Sequence, residues 1–207
     1  MQNQMLRSLF LNIWALLGII FLISCSPSSD NNKNNNTTTL TAFQKEVQGT
    51  WLSECAYDDE LHYTETYIFE KTVISLITHF YSDNKCTNIA GTEKYTGSFD
   101  ITSAEQKDIR NIDILVDNVT LTANSDAFVQ QFNGKSYCGY ADWTINKAKD
   151  VTGKNCDSET YFIKGTRLYG ILRFSGDSSK SKFFASDLDE SLDHRPKTTS
   201  VYSYTKQ

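Results

Sequence analysis

An all-β domain, an antiparallel barrel or sandwich of about eight to ten short strands, is the fold class this sequence predicts. Three observations carry it. Only two prolines occur, Pro27 and Pro196, while Tyr, Phe, Thr, Val and Ile, the residues that suit a pleated surface, are plentiful. Apolar residues alternate with polar ones over short runs, and turn residues punctuate those runs. No long amphipathic helix and no repeat at solenoid period breaks the pattern.

The domain begins after a leader. Residues 1–24 carry one positive charge, Arg7, and an apolar run from Leu9 to Ile23 broken only by Asn12, which reads as an export signal and is short for a membrane span. Its end, Leu22-Ile23-Ser24-Cys25, resembles the bacterial lipobox. That resemblance implies cleavage before Cys25 and acylation of the cysteine on its sulfur and its new N-terminus, palmitate being the usual class of acyl chain. Residues 25–41 then form the anchor and a tether. The sixteen residues from Ser26 to Thr41 are rich in Ser, Asn, Asp and Thr with no apolar face to bury, and as a flexible chain would reach roughly 20 to 24 Å. The N-x-T triplets at Asn35, Asn36 and Asn118 carry little weight for glycosylation in such a protein.

Residues 42–207 form one domain of ordinary size. A short N-terminal helical turn is expected at Ala42–Val47, with Phe43 and Val47 one helical turn apart and suited to plugging an apolar barrel end. The first strand opens at Gly49-Thr50-Trp51. In Thr64–Lys71, Tyr67 and Phe69 share one face while Thr66, Ile68 and Glu70 take the other; in Val73–Tyr81, Ile74, Leu76, Thr78 and Phe80 share a face. Thr92–Ile101 resumes an extended pattern, with Gly97 at a bulge or bend. Ile112, Ile114 and Val116 are in phase, whereas Val119, Leu121 and Ala123 fall in the opposite phase, so Asp117-Asn118 marks either a tight turn or a bulge. Asn133-Gly134, between Phe128 and Phe132 on one side and Ser136 onward on the other, predicts a type I′ hairpin. Trp143–Thr152 suits a short helix or a strand. Tyr161–Gly165, Arg167–Phe174, Lys182–Ala185 and a segment after Pro196 complete the predicted strands.

A helical turn followed by Gly49-Thr50-Trp51 at the first strand resembles the G-x-W motif of lipocalins and the wider calycin group. The resemblance implies a lipocalin-like, antiparallel up-and-down β-barrel, with Trp51 packed at its closed end and a cavity above it. The nearer likeness is to small lipocalin-like domains of bacterial lipoproteins. The sequence lacks a T-D-Y-type second motif, a placed arginine that would pack across the tryptophan, and the long helix that often follows the barrel. Barrel-floor or ligand-proximal candidates are Trp51, Tyr67, Phe69, Phe80 and Trp143, with core packing the commoner role of such aromatics. Small residues such as Gly97, Gly165, Gly170 and Ala185 on inward faces would leave room for a ligand.

Four cysteines remain after Cys25, and an even number in an exported chain favours disulfides. Of the three pairings, Cys55 with Cys86 and Cys138 with Cys156 is expected, because each closes a short loop between sequence neighbours in a meander. Period two along the first strand places Cys55 on the side of Trp51. No C-x-x-C occurs and the histidines, His62, His79 and His194, are scattered, so no metal and no cofactor is expected. Asp58-Asp59-Glu60 and Asp187-Leu188-Asp189-Glu190 match no calcium motif and read as solvated acidic loops. No G-x-S-x-G or nucleophile and base motif is present, so no enzyme is expected. The formal charge of −5 becomes −6 when Arg7 is cleaved away, and no basic stripe offers a site for nucleic acid. Two function classes fit: a lipid-anchored envelope protein, at the outer membrane, that holds a small apolar ligand without chemistry, and an interaction protein with a filled barrel whose loops bind an envelope or host protein.

Overall fold

A computed structural model of the chain describes residues 39–58, 61–157, 159–175 and 181–207; Cys25 and the tether through residue 38 lie outside the described residues. Helix α1, Ala42–Val47, forms where the sequence predicts it. Thr41 caps it by accepting from the Gln44 amide at 3.1 Å, and the Gln44 side chain accepts from the Thr41 amide at 2.9 Å, so two otherwise unpaired donors are satisfied. Gln48 follows and latches the helix to a distant turn. It donates to the Gln44 and Lys71 carbonyls at 2.9 and 3.0 Å and accepts from the Lys71 amide at 2.7 Å.

Strands follow in chain order: β1 Gly49–Ser53, β2 Ala56–Asp58, β3 Leu61–Glu70, β4 Val73–Tyr81, β5 Ile89–Ser103 and β6 Ile109–Ala123. After α2, Asp126–Lys135, come β7 Lys149–Asp150, β8 Asn155–Cys156, β9 Glu159–Thr160, β10 Arg167–Phe174, β11 Lys182–Ala185 and β12 Ser203–Lys206. β1 pairs antiparallel with both β3 and β12, which closes the sheet. The ring is then β1, β3, β4, β5, β6, β10, β11, β12, eight antiparallel strands in sequence order: an up-and-down barrel. β2 and β7 extend the sheet outside the ring, and β8 pairs with β9 alone.

The phase change in the sixth strand is a bulge. Thr96 pairs with Asn118 and Gly97 with Val116, leaving Asp117 as the extra residue, so Ile112, Ile114, Val116, Val119, Leu121 and Ala123 are all buried on one long strand. A second irregularity lies where Phe80 pairs with Gly91 and Tyr81 with Ile89, leaving Ala90 as the extra residue of β5; β4 itself keeps its alternation, with Phe80 in the inward row and Tyr81 on the other face, where it meets the Thr64 hydroxyl at 3.0 Å.

Two local expectations fail. Asn133-Gly134 is no hairpin: Ser125 caps α2 by accepting from the Phe128 amide at 3.3 Å, and the helix runs through both residues to a left-handed Ser136. The Phe128 and Phe132 spacing of four fits a helix as well as a strand, and the Asn133 side chain is engaged elsewhere, accepting from the Trp143 amide at 2.6 Å and donating to its carbonyl at 3.0 Å. Tyr161–Gly165 is likewise no strand. The Gly153 amide donates to the Phe162 carbonyl and the Gly165 amide to that of Val116, so this stretch folds as a turn against the sheet. Trp143–Thr152 resolves into a loop ending in the two-residue β7, which pairs with β6.

Both expected disulfides form, with Cα separations of 6.0 Å for Cys55–Cys86 and 4.1 Å for Cys138–Cys156. β1 ends at Ser53, so Cys55 leaves the face of Trp51 and lies exposed in the following loop, where it holds the β4–β5 connection. Cys138–Cys156 staples the end of α2 to β8. Closing loops of this size stabilises a fold by about 3 kcal/mol each.

Candidate functional site

Pairing register fixes what the barrel wall presents inward. The closed end, beside α1, is solid: Val47, Trp51, Tyr67, Phe69, Ile74, Phe99, Ile101, Ile112, Leu172, Phe174 and Phe183 are buried. Trp51, without accessible surface, donates its indole N–H to the Val47 carbonyl at 2.7 Å and packs 4.8 Å from the Phe183 ring. The cation across this tryptophan is a lysine on the last strand, with Lys206 Nζ 5.2 Å from the ring, rather than an arginine. Arg110 instead seals the plug: its guanidinium lies 4.6 Å over Phe43 and 3.4 Å from Glu46 on α1.

One level above the floor the wall changes character. Tyr204 pairs with Ser53, Ser53 neighbours Glu65 in the β1–β3 register, Glu65 pairs with Thr78, Thr78 with Glu93 and Glu93 with Leu121. This row is a polar girdle inside the barrel. Its two carboxylates sit two strands apart, so their Cα atoms are roughly 10 Å from one another. Tyr95 lies beneath Glu93 and Phe80 above Thr78 on the same face.

The connection from β6 to β10 folds over this half. Phe132 stacks on Tyr137 and meets Trp143 edge-on at 5.0 Å, and these rings join the hydrophobic core of the barrel. Tyr161 and Phe162 reach from the connection to Tyr95, with ring centroids 6.4 and 6.1 Å away. A surface cleft of about 370 Å³ runs along its outer side between Lys135, Tyr137, Cys138 and Asp157.

Accessibility is mixed in the upper half. Glu65, Thr78, Phe80 and Tyr95 face inward and keep some accessible surface, whereas Ser53, Glu93, Leu121 and Tyr204 of the same girdle are as buried as the floor. Glu65 and Tyr95 are nonetheless largely surrounded by protein. Of the sequence-predicted residues, Trp51, Tyr67 and Phe69 lie in the floor, Phe80 in the upper wall and Trp143 in the cap. Small residues contribute little room. Gly165 lies in a turn, and a Cβ on Gly170 would meet Leu188 Cδ2 at 2.7 Å.

Charge along this girdle is unusual. Burial pushes the Glu93 carboxyl up to about 8, the nearby charges of Glu159 and Glu65 add to the rise, and the Tyr161 hydroxyl, donating to it, opposes it. Burial raises Glu159 to about 7. Glu65 is raised by burial too, against a hydrogen bond donated by Tyr204 and with help from the charge of Asp187. Among the described residues no Lys or Arg pairs with Glu65, Glu93, Glu159 or Asp187. Nor do three His, Cys, Asp or Glu side chains gather there closely enough to hold a metal ion. Of the histidines, His62 and His79 point outward on β3 and β4, and His194 lies in a short 3-10 turn outside the ring.

A pH dependence follows from the sign of these shifts. The folded chain keeps a proton on Glu93 where the unfolded chain has lost it, so this term is full below about 4.5 and fades as pH rises through about 8. Unfolding free energy is therefore expected to fall by a few kcal/mol across that window in urea titrations. Glu93→Gln should flatten much of the slope, and an unchanged slope would refute a buried, proton-holding Glu93.

Sequence reasoning missed these acids although a signal existed. Glu65 is in phase with Tyr67 and Phe69, and Glu93 with Tyr95 and Gly97, so period two alone puts both inside. Scans for family models and for curated relatives give no match to this chain.

Proposed function

We propose that this chain is a lipid-anchored, lipocalin-like binding protein of the bacterial cell envelope, held at the outer membrane through Cys25, that keeps a small molecule in the upper half of its barrel and performs no chemistry on it. The observation that carries this reading is the division of the barrel. Its lower half is packed solid, while Glu65, Thr78, Phe80 and Tyr95 in the upper half keep accessible surface under a cap. Concave, aromatic-walled space with a few converging polar groups is what small-molecule sites have in common. A filled barrel that works only through its loops would pack these residues as tightly as the floor. The anchor rests on Leu22-Ile23-Ser24-Cys25 and the polar tether behind it.

Native mass spectrometry of the full-length protein extracted from membranes tests both parts. The expected spectrum shows an acylated chain beginning at Cys25 and a small molecule bound one to one that dissociates on activation. An unmodified N-terminus would remove the anchor. A chain that carries no small molecule, together with loop substitutions that abolish capture of one envelope protein, would replace the binding reading with the interaction one.

A further inference from the structure

Glu93 is 6 % exposed, it meets no cation among the described residues, and the Tyr161 hydroxyl is the one donor directed at it there. An ionised carboxylate so placed is costly unless something charged or strongly donating joins it. Glu65 faces the same space two strands away, with its one described donor, Tyr204, on the side turned from Glu93. Thr78 stands between them and offers a hydroxyl. Rings surround the pair: Tyr95 below, Phe80 above, Tyr161 and Phe162 from the cap.

Resting on the binding function proposed above, we infer that the ligand is a protonated amine carried on an aromatic or apolar body, its ammonium seated between Glu65, Thr78 and Glu93 and its body against Tyr95, Phe80 and the cap. The ammonium supplies what the girdle lacks. Its three N–H donors match two carboxylates and a hydroxyl, and its charge is favoured by the faces of the surrounding tyrosines. A purely apolar ligand would leave the two carboxyls desolvated with only the Tyr204 and Tyr161 hydroxyls for partners, and an anion would be repelled by them. A metal ion would lack ligands, because no third His, Cys, Asp or Glu gathers with these two among the described residues.

Proton release is the expected companion of binding. At neutral pH the free protein holds a proton on Glu93, and the ammonium favours the ionised form, so the proton leaves to solvent as the ion pair forms. Glu65, Glu159 and Asp187, with Tyr95, Tyr137 and Tyr161, face Glu93 or its neighbours and set the background against which it titrates.

Three probes of one shape and different charge test the inference: phenethylamine, 2-phenylethanol and phenylacetate, titrated calorimetrically into the full-length protein. Phenethylamine is expected to bind at least about tenfold more tightly than the alcohol, with phenylacetate weakest. Its heat should change with the ionisation enthalpy of the buffer, as proton release requires. Glu93→Gln, which preserves shape and cannot ionise when the amine arrives, should bring the amine and the alcohol within about twofold of each other. Equal or tighter binding of the alcohol or the acid by the unmodified protein would overturn the amine while leaving a binding barrel in place. Silence with all three probes would also overturn it, and the binding reading would then rest on the mass spectrum alone.

Discussion

Gly97→Ala is expected to destabilise the protein by about 3 kcal/mol or more, seen as a lower urea midpoint with little change in slope. The cause is geometric. A Cβ at this position would lie 2.3 Å from the Leu115 carbonyl oxygen and 3.4 Å from the Val116 Cα. Those atoms belong to backbone locked in the ladder of β6, opposite the bulge at Asp117, and cannot swing aside as a side chain could. The bulge is what lets both halves of β6 face inward. Forcing it open would turn Val119, Leu121 and Ala123 towards the wrong face, and with them the wall beside Glu93. An alanine variant that melts like the parent would show that the strand can slide, and would remove the bulge as the fixed point of the upper barrel.

Trp51→Ala is expected to cost about 3 to 5 kcal/mol, the range for deleting a large buried aromatic. The indole fills the closed end against Phe174 and Phe183 and ties α1 to the barrel through the Val47 carbonyl. Removing it opens a cavity and frees the plug together. Trp51→Phe separates the two effects, because it keeps most of the ring contact and gives up the hydrogen bond, for which about 1 kcal/mol is expected. Equal losses for both variants, measured by chemical denaturation, would place the whole effect on the bond to Val47 and none on packing.

Much of the barrel was legible because local chemistry and long-range packing agree along it. Ala42–Val47 carries its own cap at Thr41, and Val73–Leu76 and Lys182–Ala185 alternate between a wetter and a buried face. The opposed phases around Asp117 announced an irregularity, but only pairing with Thr96 and Gly97 decides that it is a bulge and not a turn. Asn133-Gly134 misled because its turn chemistry is local, whereas the Ser125 cap, the bonds from Asn133 to Trp143 and the Cys138–Cys156 staple together favour a helix. The acids of the girdle stayed hidden for a different reason. Alternation places Glu65 and Glu93 inside, but glutamate is seldom buried, and periodicity read through apolar residues passes over it. Phe80 and Trp143 carry the same aromatic character in the sequence; alternation along β4 already places Phe80 inward, whereas only the fold of the connection from β6 to β10 places Trp143 against Phe132.

Closure of the ring has a consequence for the order of events as the chain folds. Trp51 pairs across its strand with Lys206, and Leu52 with Thr205, so the first strand of the barrel finds one of its two neighbours in the last strand of the ring, far along the chain. Contacts so distant along the chain are entropically expensive to form and arrive late in folding. Until β12 arrives, β1 is a sheet edge with open hydrogen-bonding groups and the floor around Trp51 lacks Tyr204. A barrel built this way closes in one late step, in which the pairing of β1 with β12 completes its ring and its floor together.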